Sequence, residues 1–316
     1  MRKTALVTGG TDGIAKEIAR GLARKGHEVI VVGRDSQKGM RAANELRSTT
    51  ANENVWNLPA DLSLISDVRR LADEVADGWR VLHYLVHSAG IVRGRRMLTA
   101  EGIESNFAVN YLSRFALTLR LLLLLREAGK ENAAARIVVI GGAAGSGKIY
   151  FDDVNLGRNF NTLRAVGQFC RANDTFAIEL ARRLSAEEPK PRVTVTCLKI
   201  GVVKTGIRSE FPIWMKWLVP LVFDPLLGQT PPQAADPALQ LLLSPEFEGV
   251  SGALFQKIKK FKRIEPGARV TDLKQGRKLW SLSEQLTSEA PSGIGVGGAC
   301  VTATSYACSG AAKELR

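Results

Sequence analysis

The stretch Thr8-Gly9-Gly10-Thr11-Asp12-Gly13-Ile14-Ala15 constrains the fold more than any other, because it joins an apolar run, Thr4 to Val7, to an amphipathic segment, Ile14 to Arg24. An apolar strand, a glycine turn and a helix N-terminus in that order form a phosphate cradle. Gly9 supplies a backbone dihedral that other residues resist, Gly13 lets the backbone approach a pyrophosphate, and the amides opening the helix point at an anion. Thr11 and Ile14 complete the lining of the turn, and Ala15 stands where a third glycine would allow the closest helix packing.

Apolar runs then alternate with helix-length amphipathic stretches. Glu28 to Val32, Asn54 to Leu58, His83 to Val86, Arg136 to Ile140 and Arg192 to Leu198 read as strands. Such alternation predicts an α/β, Rossmann-type, doubly wound parallel sheet with ligands at the carboxyl ends of its strands. The 316 residues can bury a full core as a single domain, expected over 1–285 with a lid at about 206–230; 286–316, rich in Gly, Ser, Ala and Thr, reads as a loosely ordered tail. Leu121 to Leu125 is too short an apolar run to span a bilayer and reads as a buried helix.

At the end of the second strand Arg34 favours a 2′-phosphate, which points to NADP(H) rather than NAD(H). Asp61, followed by Leu62, either bonds an adenine amino group or caps the helix expected near Ser63. The net charge of +13 calls for anionic partners, and a nucleotide phosphate meets part of that demand without implying nucleic acid. Four singly placed cysteines show no metal-ligand spacing, so no metal is expected, and a strand opening the chain leaves a reducing cytoplasm as the expected location.

These residues, with His87-Ser88-Ala89-Gly90, Asn110, Phe151-Asp152-Asp153 and Glu179 to Leu184, resemble the short-chain dehydrogenase/reductase family, in its retinol-dehydrogenase-like branch, from Lys3 to roughly Arg263. The resemblance implies that Ser88, Ala89 and Gly90 pack against the cofactor, that Thr205 bonds the nicotinamide carboxamide, and that a homo-oligomer forms through helices at Asn106–Gly129 and Thr162–Ser185. It also implies a tetrad of serine, tyrosine, lysine and asparagine. Here the serine, tyrosine and lysine positions hold Gly142, Val166 and Cys170, and only Asn110 is kept. Tyr150, with Lys148 and Ser146 nearby, is the candidate for a shifted site, although Val154 stands where a lysine four residues on would be.

Lys199 replaces a family histidine and either polarises a substrate carbonyl or points to solvent. Cys170 is either a nucleophile or a small apolar filler. Phe211, Trp214 and Trp217 form an aromatic lid that would enclose a lipophilic small molecule or touch a membrane surface, and Lys257 to Arg263 would add to such a contact if helical and exposed. Three functions follow in order of expectation: a non-redox enzyme performing cyclisation, isomerisation or rearrangement; an NADP(H)-dependent oxidoreductase with a non-standard proton donor; and a non-catalytic binding protein. The cofactor is bound in the second, while the first could dispense with it.

Overall fold

A computed structural model describes residues 2–130, 134–142, 147–187, 192–201, 203, 228–258 and 260–288. Eight strands lie in one sheet in the order β3-β2-β1-β4-β5-β6-β7-β8. They are β1 Thr4–Thr8, β2 Glu28–Gly33, β3 Val55–Pro59, β4 Tyr84–His87, β5 Ala135–Gly142, β6 Val193–Ile200, β7 Ala253–Lys257 and β8 Phe261–Ile264. All pairings are parallel except β7 with β8. The strand order reverses direction between β1 and β4, and the crevice there opens at the carboxyl ends of both strands.

The strands are continuous apolar runs because helices cover both faces. On one face α1 (Gly13–Arg24), α2 (Ser36–Thr50) and the Pro231–Leu243 helix bury Ile18, Leu22, Leu46 and Leu241 against Val7, Val31 and Val138. On the other, α3 (Ile65–Gly78), the helical run from Ser105 to Gly129 and α7 (Thr162–Ser185) bury Leu71, Phe115 and Phe176 against Leu6, Ile137 and Val195.

Tertiary context decides local shapes that the sequence leaves open. The run at Lys257 to Arg263 is a hairpin of β7 and β8 rather than a helix, because Phe255 and Phe261 stack across it at 5.5 Å and both meet Phe247. The long helix expected at Asn106–Gly129 is broken into α4 (Ser105–Phe107), a π-helical turn (Ala108–Leu112), α5 (Ser113–Arg120) and α6 (Leu122–Gly129). Within it Leu121 and Leu125 are buried as expected, whereas Leu123 is exposed. The apolar sides of α5 and α7 at Phe115 and Phe176 are packed by Trp280 of the Leu273–Thr287 helix. The proposed lid, with Phe211, Trp214 and Trp217, lies outside the described residues, as do Thr205, Ser146 and the tail from 289 onward.

Candidate active site at the carboxyl ends of β1, β4, β5 and β6

The glycine turn is built for close approach. Gly9 and Gly13 have φ of +75° and +55°, and a Cβ on Gly9 would stand 2.9 Å from Ala89 Cα. The Thr8 hydroxyl accepts from Ser88 N at 3.1 Å and from Ala89 N at 3.3 Å, and donates to Val86 O at 3.3 Å, so the ends of β1 and β4 are tied together. Thr11 packs on Gly33, where a Cβ would meet its methyl at 2.6 Å. Asp12 caps α1 by accepting from Gly13 N at 2.7 Å, and Lys38 Nζ, 2.6 Å away, holds its carboxyl below the usual range. Gly13's amide is therefore already engaged. Those of Ile14 and Ala15 have no acceptor among the described residues and remain for an anion.

At the adenosine end Arg34 is exposed and makes no hydrogen bond or ion pair among the described residues. Its neighbour Asp35, also exposed, caps α2 by accepting from Lys38 N at 2.9 Å through Oδ1. Asp61 is not a helix cap. Its Oδ1 accepts from Ser63 N at 3.0 Å in a turn, and α3 starts two residues later with its first amides given to Glu101: Ile65 N at 2.6 Å and Ser66 N at 2.9 Å. The Leu62 side chain is 8% exposed and clusters with Ile65 at the edge of the core.

Asn110 lies in the π-helical turn, a distortion frequent at functional sites. Its amide clasps Ile91, accepting from the backbone N at 3.1 Å and donating to O at 2.8 Å. One turn on, Arg114 is buried and donates to Ile140 O at 2.7 Å, Ala89 O at 2.8 Å and Asn173 Oδ1 at 3.3 Å. Burial lowers its pKa to about 10. Asn173 donates to Asn110 O at 2.9 Å, which closes the network. Arg114 and Asn173 are hard to single out in sequence because each lies among other polar residues of its helix, such as Ser113 and Thr118 or Arg171 and Asp174; a charge next to Tyr111, Leu112 and Phe115 was the available signal.

Gly142 at the end of β5 and Cys170 on α7 are neighbours, with Cys170 Sγ 3.8 Å from Gly142 O. The thiol is 2% exposed and burial pushes it up to about 11, so it is uncharged near neutrality and serves as filler. Val166 is half-buried against the core. The bland alternative for Lys199, a solvent-facing lysine, is overturned. Its ammonium is 2.5 Å from Asp174 Oδ2, and the two side chains are 13% and 6% exposed. Asp174 also accepts from Cys197 Sγ at 3.5 Å, and burial raises its pKa against the opposing pull of Lys199. Both charges reach the Cys170 thiol.

Tyr150 belongs to another face of α7. Lys148 Nζ and the Arg164 guanidinium sit 4.9 and 5.6 Å from its ring centre, its amide donates to Gln168 Oε1 at 3.0 Å, and Arg171 holds Gly147 O at 3.0 Å. At about 100° per residue, 164, 168 and 171 share a side of the helix and 166 and 170 lie roughly opposite. Tyr150 therefore does not take over the position of Val166.

His87 is fully buried, with Nε2 2.8 Å from Thr118 Oγ1, and burial lowers its pKa well below the ordinary value; half-buried His27 is lowered too. Packing is thus the role of His87. Below about pH 6.5 the unfolded chain binds protons that the folded one refuses, so stability held above that pH falls as pH drops. We expect urea midpoints to decline from pH 7 to pH 5, and His87→Gln to flatten that slope; an unchanged slope would assign it to other groups.

The family described as short chain dehydrogenase matches residues 3–151. Retinol dehydrogenase 12 of Mus musculus is 34% identical over 286 residues, covering 90% of this chain and 86% of its own. Polyprenol dehydrogenase of Homo sapiens is 31% identical over 287 residues, covering 90% and 85%. Among solved structures, an uncharacterised Mycobacterium paratuberculosis protein superposes with a TM-score of 0.71 at 27% identity, covering 90% and 93% of the two chains. The Pseudomonas aeruginosa RhlG/NADP complex gives 0.64 at 25%, covering 80% and 94%. The expectation of a cytoplasmic protein is corrected by these relatives, which are named for retinol and polyprenol, alcohols that partition into membranes. Among the described residues no single helix is long and apolar enough to cross a membrane; one pair, Ser105–Arg120 with Leu122–Gly129, passes on length and composition but bends by 56° and is mostly core.

Proposed function

The chain belongs to the short-chain dehydrogenase/reductase family, and on that premise we propose that it is an NADP(H)-dependent oxidoreductase of a lipophilic alcohol or its carbonyl partner, with a proton donor other than tyrosine. The observation that carries this reading is the completeness of the dinucleotide half. Positive φ at Gly9 and Gly13, the Thr8 tie to Ser88 and Ala89, and the open amides of Ile14 and Ala15 fit a pyrophosphate. Free Arg34 beside the engaged Asp35 suits a 2′-phosphate better than a ribose diol. Bound there, a nicotinamide supplies the hydride chemistry itself. Relatives named for retinol and polyprenol support a lipophilic substrate.

What the chain must add is positioning and a proton. Asn110, Arg114 and Asn173 fix the loop after β4 against β5 and α7, which sets the floor on which substrate and ring meet. With glycine, valine and cysteine at the tetrad positions, the group we assign to the proton at the substrate oxygen is Lys199. Asp174 holds its ammonium in place at the carboxyl end of β6.

Calorimetry with NADPH and NADH on the protein and on Arg34→Ala tests the first half. The substitution should weaken NADPH by about tenfold or more, as removal of a charge-assisted phosphate bond does, and leave NADH unchanged. Equal weakening of both would remove the 2′-phosphate assignment. For the second half, Lys199→Met should abolish conversion of retinoid or polyprenoid alcohols and aldehydes while cofactor affinity holds. A second reading, non-redox rearrangement of the same class of molecule, is favoured specifically by Gly142, Val166 and Cys170. It predicts a product of unchanged mass and no net consumption of dinucleotide.

A further inference from the structure

The loops after β4 and β5 form the rim of the crevice. Leu163 and Leu98 are 68% and 47% exposed. Thr162, beside Leu163, donates to Gly94 O at 3.4 Å, and Arg96 donates to Asn155 O at 2.8 Å, so the two loops make one continuous surface. Around the leucines stand exposed Arg95, Arg96, Lys148 and Arg158, with half-buried Arg164. Three acidic groups of the same loops are engaged by backbone amides. Glu104 is buried and accepts from Asn106 N and Phe107 N, Glu101 caps α3, and Asp153 accepts from Gly157 N and Arg158 N. Asp152, 90% exposed with Lys278 3.8 Å away, is among the described residues the one open carboxylate beside these cations.

We propose that this rim docks on an anionic lipid bilayer, with Leu98 and Leu163 entering the headgroup region and Arg95, Arg96, Lys148 and Arg158 meeting lipid phosphates. The cations are spread over three chain segments and do not converge on one point, as binding of a single phosphate would require. A nucleic acid would match the charge but leave two large exposed leucines without a role. A bilayer offers both many anionic heads and an apolar layer beneath them. Docking in this orientation turns the carboxyl ends of β4 and β5 towards the lipid, so a lipophilic substrate reaches the crevice without crossing water. That last consequence rests on the function proposed above; the docking itself does not.

The test is sedimentation of the full chain with vesicles of phosphatidylcholine alone and of phosphatidylcholine mixed with phosphatidylglycerol. Binding should require the anionic lipid and fall with salt. Arg95→Glu, Arg158→Glu and Leu163→Glu should each weaken it by about fivefold or more, with thermal midpoint and NADPH affinity unchanged. Binding equally strong to neutral vesicles, no binding, or binding untouched by these variants but abolished in Lys260→Glu at the β7–β8 turn would overturn the proposal. Conversion of a short soluble alcohol separates the two ideas: retained turnover by a wild-type chain that ignores vesicles leaves the oxidoreductase standing and the docking refuted, whereas vesicle binding without turnover refutes only the former.

Discussion

Arg114→Met should destabilise the protein by about 3–5 kcal/mol, since the carbonyls of Ala89 and Ile140 would be left buried without their donor at a cost of about 1–3 kcal/mol each, and the Asn173 side-chain oxygen would also be deprived of the guanidinium. Methionine keeps most of the apolar stem and so isolates the effect of removing the guanidinium. Because those two carbonyls sit at the ends of β4 and β5, the loop holding Ser88, Ala89 and Gly90 should loosen in the same variant and dinucleotide affinity should fall with it. Urea unfolding and calorimetry of NADPH binding read the two effects separately. A change below about 1 kcal/mol, ordinary for a surface substitution, would mean that Arg114 is not the clamp of the site.

Trp280→Ala is the second large effect, at about 3–5 kcal/mol for truncation of a buried aromatic. The indole is 7% exposed, packs edge-on to Phe115 at 5.1 Å, lies 6.3 Å from Phe176, and carries the Arg183 guanidinium 4.0 Å above its face. Its Nε1 donates to Glu284 at 2.7 Å. Removing it uncovers the outer faces of α5 and α7, which are apolar at Phe115 and Phe176, so the variant should also self-associate. Thermal unfolding and sedimentation velocity at several concentrations check both parts. Full stability in the variant would show that the Leu273–Thr287 helix is a dispensable cover.

The sheet and its cofactor half are legible in the chain because both depend on local signals. A strand covered on two faces must be a continuous apolar run, and a turn that admits a pyrophosphate must place glycine where φ is positive, as at Gly9 and Gly13. Six strands follow from that reasoning to within a few residues.

What only the tertiary structure decided are the contacts between residues far apart in sequence. Nothing local marks Glu101 as the cap of α3, which begins at Ile65, or directs Lys199 inward to Asp174 on α7. Arg114 reads as a charge next to Tyr111, Leu112 and Phe115 until β4, β5 and α7 converge on it. The basic run ending at Arg263 became a strand because Phe247 and Phe255 offered Phe261 an apolar neighbour, which outweighs a charge pattern. Local sequence sets backbone geometry and burial, whereas the partner of a buried charge is set by which elements the fold brings within hydrogen-bond distance.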